Sequence, residues 1–228
     1  MITFAPKFKK DMVKNNFIRV ALFDLDGVVF DTEGQYTRFW GTQARIYHPE
    51  IPDLEHIIKG QTLQQIFDRY FDDVKDEQPK IVDRLNRFEQ DMDFTFLPGF
   101  VDFINDLHAH GVKTAVVTSS NQMKMSAVYK VHPRFKEYFD AILTAEDFAH
   151  SKPHPDCYLK GAARFGASPE ECVVFEDSFN GLKSGRAANM KVIGLTTSNS
   201  AEAISSLSDW QMSDFQGLDY QKMCALLA

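Results

Sequence analysis

Apolar positions along the chain recur in two different rhythms. Five short runs are apolar enough to be strands covered on both faces: Val20–Leu25, Val112–Thr118, Ala141–Thr144, Cys172–Glu176 and Lys191–Leu195. Amphipathic helical patterns separate most of them, at Phe100–His110, Gln122–Lys130, Asp156–Phe165 and Gly181–Asn189. Gly111 and Gly166 stand just past two of these helices, where glycine is a common stop signal. Strands alternating with helices in this way predict an α/β fold, a doubly wound, Rossmann-like parallel sheet.

One interval breaks the alternation. Between the first strand and Phe100 there are four helical stripes and no strand. The first holds Tyr36, Phe39, Trp40, Ala44 and Tyr47; the second holds Leu54, Ile57 and Ile58. Leu63, Ile66, Phe67, Tyr70 and Phe71 follow behind a candidate N-cap at Thr62, and Ile81, Val82, Leu85, Phe88 and Met92 make the fourth. Such helices must bury their stripes against one another. They predict a four-helix cap at residues 35–95, inserted into a core formed by residues 1–34 and 96–228. Pro98 and Gly99 mark a hinge on the return.

The first strand carries an anomaly, "VALFDLDGVVF". Aspartate is depleted in strands, and a buried carboxylate needs a partner or a metal. If the strand simply continued, Asp24 and Asp26 would share one face. Composition narrows the meaning. The chain has 228 residues, a formal net charge of -7 and three cysteines without a CxxC pair. Those values argue against a nucleic-acid or anionic-membrane footprint and suit a reducing, cytoplasmic setting. No apolar run is long enough to span a bilayer. The basic N-terminal segment (Lys7, Lys9, Lys10, Lys14, Arg19) reads as a solvated leader, since it lacks the apolar stretch of a signal peptide.

Ligands of open parallel sheets gather outside the carboxyl ends of the strands. Here the first end offers Asp24 and Asp26, and the second offers Thr118, Ser119, Ser120 and Asn121. Lys152 follows the third, and Glu176 and Asp177 close the fourth. Carboxylates with water form the hard oxygen shell that Mg²⁺ prefers. A carboxylate can also act as a nucleophile, a second as acid and base, and hydroxyls, N–H groups and a lysine can hold phosphoryl oxygens. No His/Cys grouping has zinc-ligand spacing. Asp31 and Thr32 read as turn residues, and Asn180 as a turn residue or an ordering group near a metal.

"DLDGVVFDTE", "VVTSSN", the Lys-Pro pair and "VVFEDSFNG" together resemble the four motifs of the haloacid dehalogenase superfamily. The helical insertion resembles its branch of beta-phosphoglucomutase-like phosphatases. The resemblance implies Asp24 as nucleophile, Asp26 as general acid/base, and Thr118 and Lys152 as holders of the phosphoryl oxygens. It implies Mg²⁺ held by Asp24, the carbonyl of Asp26 and Asp177, with Glu176 assisting directly or through water. Asp26, which the dehalogenases lack, argues for phosphate esters over carbon–halogen bonds.

Within that branch the mutases carry an arginine where this chain has Leu63, and a histidine at the position of Tyr36. Both departures favour a Mg²⁺-dependent phosphatase of a small metabolite, a sugar or polyol phosphate, over a beta-phosphoglucomutase. A non-catalytic binding protein is the third reading. Lys59 and Gln61 are the cap candidates to face the substrate, beside Ser119, Ser120 and Asn121. The expected partner is the phosphate ester alone, with no nucleic acid and no membrane, on a monomer or a dimer.

Overall fold

A computed structural model describes residues 18–59 and 61–228. The basic leader before Ile18, and Gly60, lie outside the described residues. Six strands form one parallel sheet: β1 (Val20–Phe23), β2 (Lys113–Val117), β3 (Ala141–Leu143), β4 (Cys172–Glu176), β5 (Lys191–Leu195) and β6 (Trp210–Met212). Their order is β3-β2-β1-β4-β5-β6. The α/β, doubly wound reading therefore holds. The sixth strand is an addition. Three residues at the sheet edge, one of them an exposed Trp210, carry too little periodicity to announce themselves.

Alternation along the strands sorts the core into two layers. Ala21, Phe23, Val116, Val173, Phe175 and Ile193 point to one face, and Val20, Leu22, Ala115, Val117, Val174 and Val192 to the other. Helices α5 (Phe100–Ala109), α6 (Gln122–Val131) and α10 (Tyr220–Leu227) cover the first face. Helices α7 (Asp156–Arg164), α8 (Phe179–Ala187) and α9 (Ala201–Ile204) cover the second. Each face is fixed by register, because a one-residue slip would exchange the two apolar sets.

Helices α1 (Glu33–Tyr47), α2 (Leu54–Ile57), α3 (Leu63–Tyr70) and α4 (Gln78–Gln90) occupy the interval between β1 and α5. Trp40, Ala44, Leu54, Ile58, Ile66, Phe67, Phe71, Ile81 and Leu85 form a core of their own. Thr62 caps α3 as expected, in a reciprocal pair with Gln65. Met92 departs from the expected stripe: it packs with the sheet-side cluster, beside the returning chain.

Phe23 and Phe175 are fully buried and stacked, with ring centroids 4.6 Å apart. They pin β1 against β4 immediately below the acidic strand ends. Phe175→Ala should lower unfolding free energy by about 3–5 kcal/mol, the usual range for emptying a buried aromatic site. Equilibrium urea unfolding measures it, and a loss under about 1 kcal/mol would contradict this placement.

Candidate active site

The chain leaves β1 toward β2 on one side of the sheet and returns to β4 on the other, so the crevice between β1 and β4 is a topological switch point. Strand β1 ends at Phe23, one residue before Asp24, whose N–H donates to Phe175 O (3.0 Å). Asp26 does not continue the pleat. It sits in a turn with a single bridge to Phe30, and Gly27 follows with φ +68°. Both carboxylates reach the same crevice, by a turn rather than by strand alternation.

Lys152 ties the strand ends together. Its Nζ donates to Asp24 Oδ1 (2.6 Å), to Glu176 Oε1 (2.7 Å) and to Val117 O (3.1 Å). Tyr158 OH also donates to Glu176 Oε1 (2.9 Å). The other oxygen, Oε2, accepts from the N–H groups of Asp177 (3.0 Å) and Ser178 (3.1 Å) and from Ser178 Oγ (3.1 Å). Glu176 is thus occupied on both oxygens by protein donors. Ser178 caps α8 as well, accepting from Gly181 N. A side chain at Gly181 would collide with the Glu176 carboxylate, and one at Gly27 with Asp177. Two glycines therefore let the backbone close tightly round the acids.

Asp24, Glu176 and Asp177 each offer an oxygen within 4.8 Å of the others. Burial, opposed by Lys152 and reinforced by Glu176 and Asp26, pushes the Asp24 carboxyl up to about 7. Burial, then the charges of Glu33, Glu176 and Asp24, pushes Asp177 well above the ordinary carboxylate range. For Lys152, burial opposes the charge, but Asp24 and Glu176 outweigh it and hold its pKa well above that of an ordinary lysine. Crowded buried carboxylates of this kind could hold a divalent metal ion, which would relieve their repulsion.

Asp26 has a second buried ammonium beside it. Lys124 Nζ bonds Asp26 Oδ2 and lies 2.5 Å from Tyr36 OH, with a side chain only 1% exposed. Tyr36 donates onward to Glu89 Oε1 (2.7 Å). Thr32 Oγ1 donates to Asp26 Oδ1 (2.7 Å), and Ser120 Oγ to Asp26 Oδ2 (3.2 Å). Thr32 is fully buried, so it is not the mere turn residue its sequence context suggests. Tyr36, where the mutases carry a histidine, brings no imidazole to Asp26. An ammonium from α6 holds the carboxylate instead.

The remaining predicted residues divide. Thr118 is buried at the end of β2 and accepts the Ser120 N–H (3.0 Å); Ser119 is exposed. Asn121 uses its side-chain oxygen to cap α6 at Lys124 N (3.0 Å). Gln61 is tied to Ile57 O (2.9 Å) and Arg69 (3.2 Å), and Lys59 to Glu33 (3.4 Å). Asn180 reaches Gln65 of α3 (3.4 Å) from the first turn of α8.

Thr197 and Ser198, at the end of β5, were not among the predicted residues. Ser198 Oγ bonds Asp177 Oδ2, and Thr197 Oγ1 donates to Gly27 O (2.6 Å). Inspecting the carboxyl end of the fifth strand as well as the first four would have found them, for "TTSNS" follows it directly.

A cavity of about 350 Å³ opens above this cluster. Asp24, Asp26, Thr118, Ser119, Ser120, Asn121, Lys152, Glu176 and Asp177 line its floor. Helices α1 to α4 and the loops between them supply the opposite wall, including Trp40, Lys59, Gln61 and Leu63.

Known proteins resemble this chain in sequence and in fold. Hexitol phosphatase A of Escherichia coli is 33% identical over 179 residues, covering 76% of this chain and 81% of that enzyme. The bifunctional riboflavin kinase/FMN phosphatase of Arabidopsis thaliana is 30% identical over 215 residues; the match takes in 86% of this chain and 56% of that longer protein. A beta-phosphoglucomutase from Clostridium difficile superposes with a TM-score of 0.75 at 20% identity, covering 92% of this chain and 97% of that one, a likeness of fold. The family model described as haloacid dehalogenase-like hydrolase matches residues 21–195. The chain belongs to the haloacid dehalogenase-like hydrolase family.

Proposed function

We infer that the protein is a Mg²⁺-dependent phosphatase of a small phosphorylated metabolite, with Asp24 as nucleophile and Asp26 as general acid/base. The observation that carries this reading is Lys152, bonded at once to Asp24 and Glu176 beneath a cavity that Asp26 also lines. A binding module has no use for a paired acid and nucleophile held this rigidly. The phosphatase names of the relatives agree with it, and the hexitol phosphatase supports a sugar or polyol phosphate as the ester.

In this reading Asp24 attacks phosphorus, and the bond to the leaving oxygen breaks as Asp26 protonates that oxygen. Asp26 then takes a proton from the water that cleaves the aspartyl-phosphate. Lys152 and Thr118 hold the phosphoryl oxygens, with N–H groups of the 118–121 turn. Asp24, the Asp26 carbonyl and Asp177 are the groups to hold Mg²⁺. The ion would supply positive charge against the phosphoryl group and keep Asp24 ionised. Glu176, saturated by five donors, is better suited to fixing Lys152 and the Asp177 turn than to ligating metal itself. Helices α1–α4, which begin at Glu33 and fill most of the expected 35–95 interval, act as the cap that excludes water.

Asp24→Asn should keep the fold and lose at least about a thousandfold in phosphate release, since the amide is nearly isosteric but not nucleophilic. Residual activity within tenfold of the parent, in protein free of contaminating phosphatase, would remove Asp24 from this role.

Stability of the metal-free protein should depend on pH in a defined direction. With Asp24 raised from 3.8 to about 7 and Asp177 raised as well, the folded state keeps protons that the unfolded chain releases. That contribution is complete below about pH 4 and is lost as pH rises through about 7. Mg²⁺ should therefore stabilise the fold, and raise its thermal midpoint, more at about pH 8 than at about pH 5; the stabilisation reaches about 2.7 kcal/mol where the ion stands at hundredfold excess over its Kd. Scanning calorimetry with and without the ion decides this, and an equal Mg²⁺ effect at both pH values would count against the site.

Beta-glucose 1-phosphate with a trace of the 1,6-bisphosphate separates phosphatase from mutase. We expect negligible glucose 6-phosphate, because Leu63 cannot make the bidentate phosphate contacts of an arginine. Isomerisation outpacing phosphate release more than tenfold would establish the mutase reading instead.

A further inference from the structure

Two lysines are buried among the described residues, Lys124 and Lys152. Lys152 lines the cavity, and Lys124 does not. Lys124 stands in the first turn of α6, its backbone N–H bonded to the Asn121 cap (3.0 Å). The positive end of a helix dipole disfavours a cation there, and so does removal from water. What offsets both is the pair of groups its ammonium meets. It bonds Asp26 Oδ2, and it lies 2.5 Å from Tyr36 OH. Tyr36 donates its own O–H to Glu89, so its oxygen accepts from the ammonium. The bonds to Asp26 are unequal on the two oxygens. A carboxylate offers about four lone pairs, two on each oxygen. Oδ2 accepts from Ser120 Oγ (3.2 Å) and from Lys124, which fills it. Among the described residues Oδ1 accepts from Thr32 Oγ1 alone (2.7 Å), and one of its lone pairs is left over.

We propose that Lys124 is a positioning residue for acid–base catalysis: with Ser120 it saturates Oδ2 of Asp26 and leaves Oδ1 as the atom that carries the transferred proton. This rests on the phosphatase reading above and deepens it. In the first step the proton on Oδ1 passes to the ester oxygen, as the electron pair of the breaking P–O bond moves onto that oxygen. In the second, water attacks phosphorus, the bond from phosphorus to Asp24 breaks, and Oδ1 takes the proton that the water gives up. Both transfers need one atom at one place, so a carboxylate able to turn would be misplaced for each. The hydroxyls of Thr32 and Ser120 are neutral and can rotate away. The ammonium makes the charge-assisted, stronger bond, and its stem is fixed by burial in α6.

Lys124→Met keeps a buried stem of similar length and removes the ammonium. Single-turnover phenol release, with enzyme in excess and Mg²⁺ present, is compared for 4-nitrophenyl phosphate and phenyl phosphate. The nitrophenolate leaves with little help from an acid, whereas phenolate needs it more. The ratio of the two rates, 4-nitrophenyl over phenyl, should therefore rise about tenfold over the parent's. A merely structural role would slow both esters alike and leave the ratio where it was. Should Lys124→Met fail to fold, Ser120→Ala opens the same oxygen and should raise the ratio in the same direction. Crystals of the folded variant should show the Asp26 carboxylate turned from its place in the parent. A ratio that rises by less than about threefold, or a carboxylate that keeps its orientation, overturns the proposal. If the parent releases no phenol from either ester, a turned Asp26 upholds the positioning role, and the phosphatase reading alone fails.

Discussion

One buried ammonium organises the rest of the site. Lys152 comes from the loop after β3, yet it meets Asp24 after β1, a carbonyl of β2 and Glu176 of β4. Each carboxylate would be difficult to bury alone, and removing one partner from such a cluster typically destabilises by about 3–5 kcal/mol. The cluster can form only if the four strands are in register, with Phe23 opposite both Val116 and Phe175. Sheet register and site geometry are thus one constraint. The aromatic stack beneath it, Phe23 on Phe175, supplies the apolar part of the same requirement.

The parts legible in the sequence were those with strong local signals. Five apolar runs, the helices between them and the acids at strand ends all break the background pattern within a few residues. What escaped notice did so because its signal is not local. Lys124 sits in "QMKMSAVYK", where a lysine on an amphipathic helix reads as solvated. Its burial depends on Asp26 and Tyr36, 98 and 88 residues away. Thr32 follows Asp31 in what looks like an ordinary turn, and only the fold turns its hydroxyl toward Asp26. The edge strand β6 depends for its pairing on β5 more than on its own three residues.

Alternation was also a poor guide at one point. Asp24 and Asp26 were expected to share a face of a continuing strand, and they share a cavity for a different reason. Gly27 in a left-handed conformation folds the chain back, which leaves Asp177 room against the turn. Period-two reasoning holds inside the ladder, where both neighbours enforce it. It fails beyond the ladder's end, in the turn that carries Asp26.

The Lys124 contact ties the helical layer to Asp26. Asp26 belongs to the sheet side, but Tyr36 and Glu89 arrive from α1 and α4. Any motion that lifts those helices from α6 brings water to an ammonium whose side chain is now 1% exposed. Its pull on Asp26 would then weaken several-fold, as the surrounding medium passes from protein to solvent. The Lys124–Asp26 pair is therefore complete only while those helices are seated on α6. Four side chains thus couple the seating of the helical layer to the surroundings of Asp26.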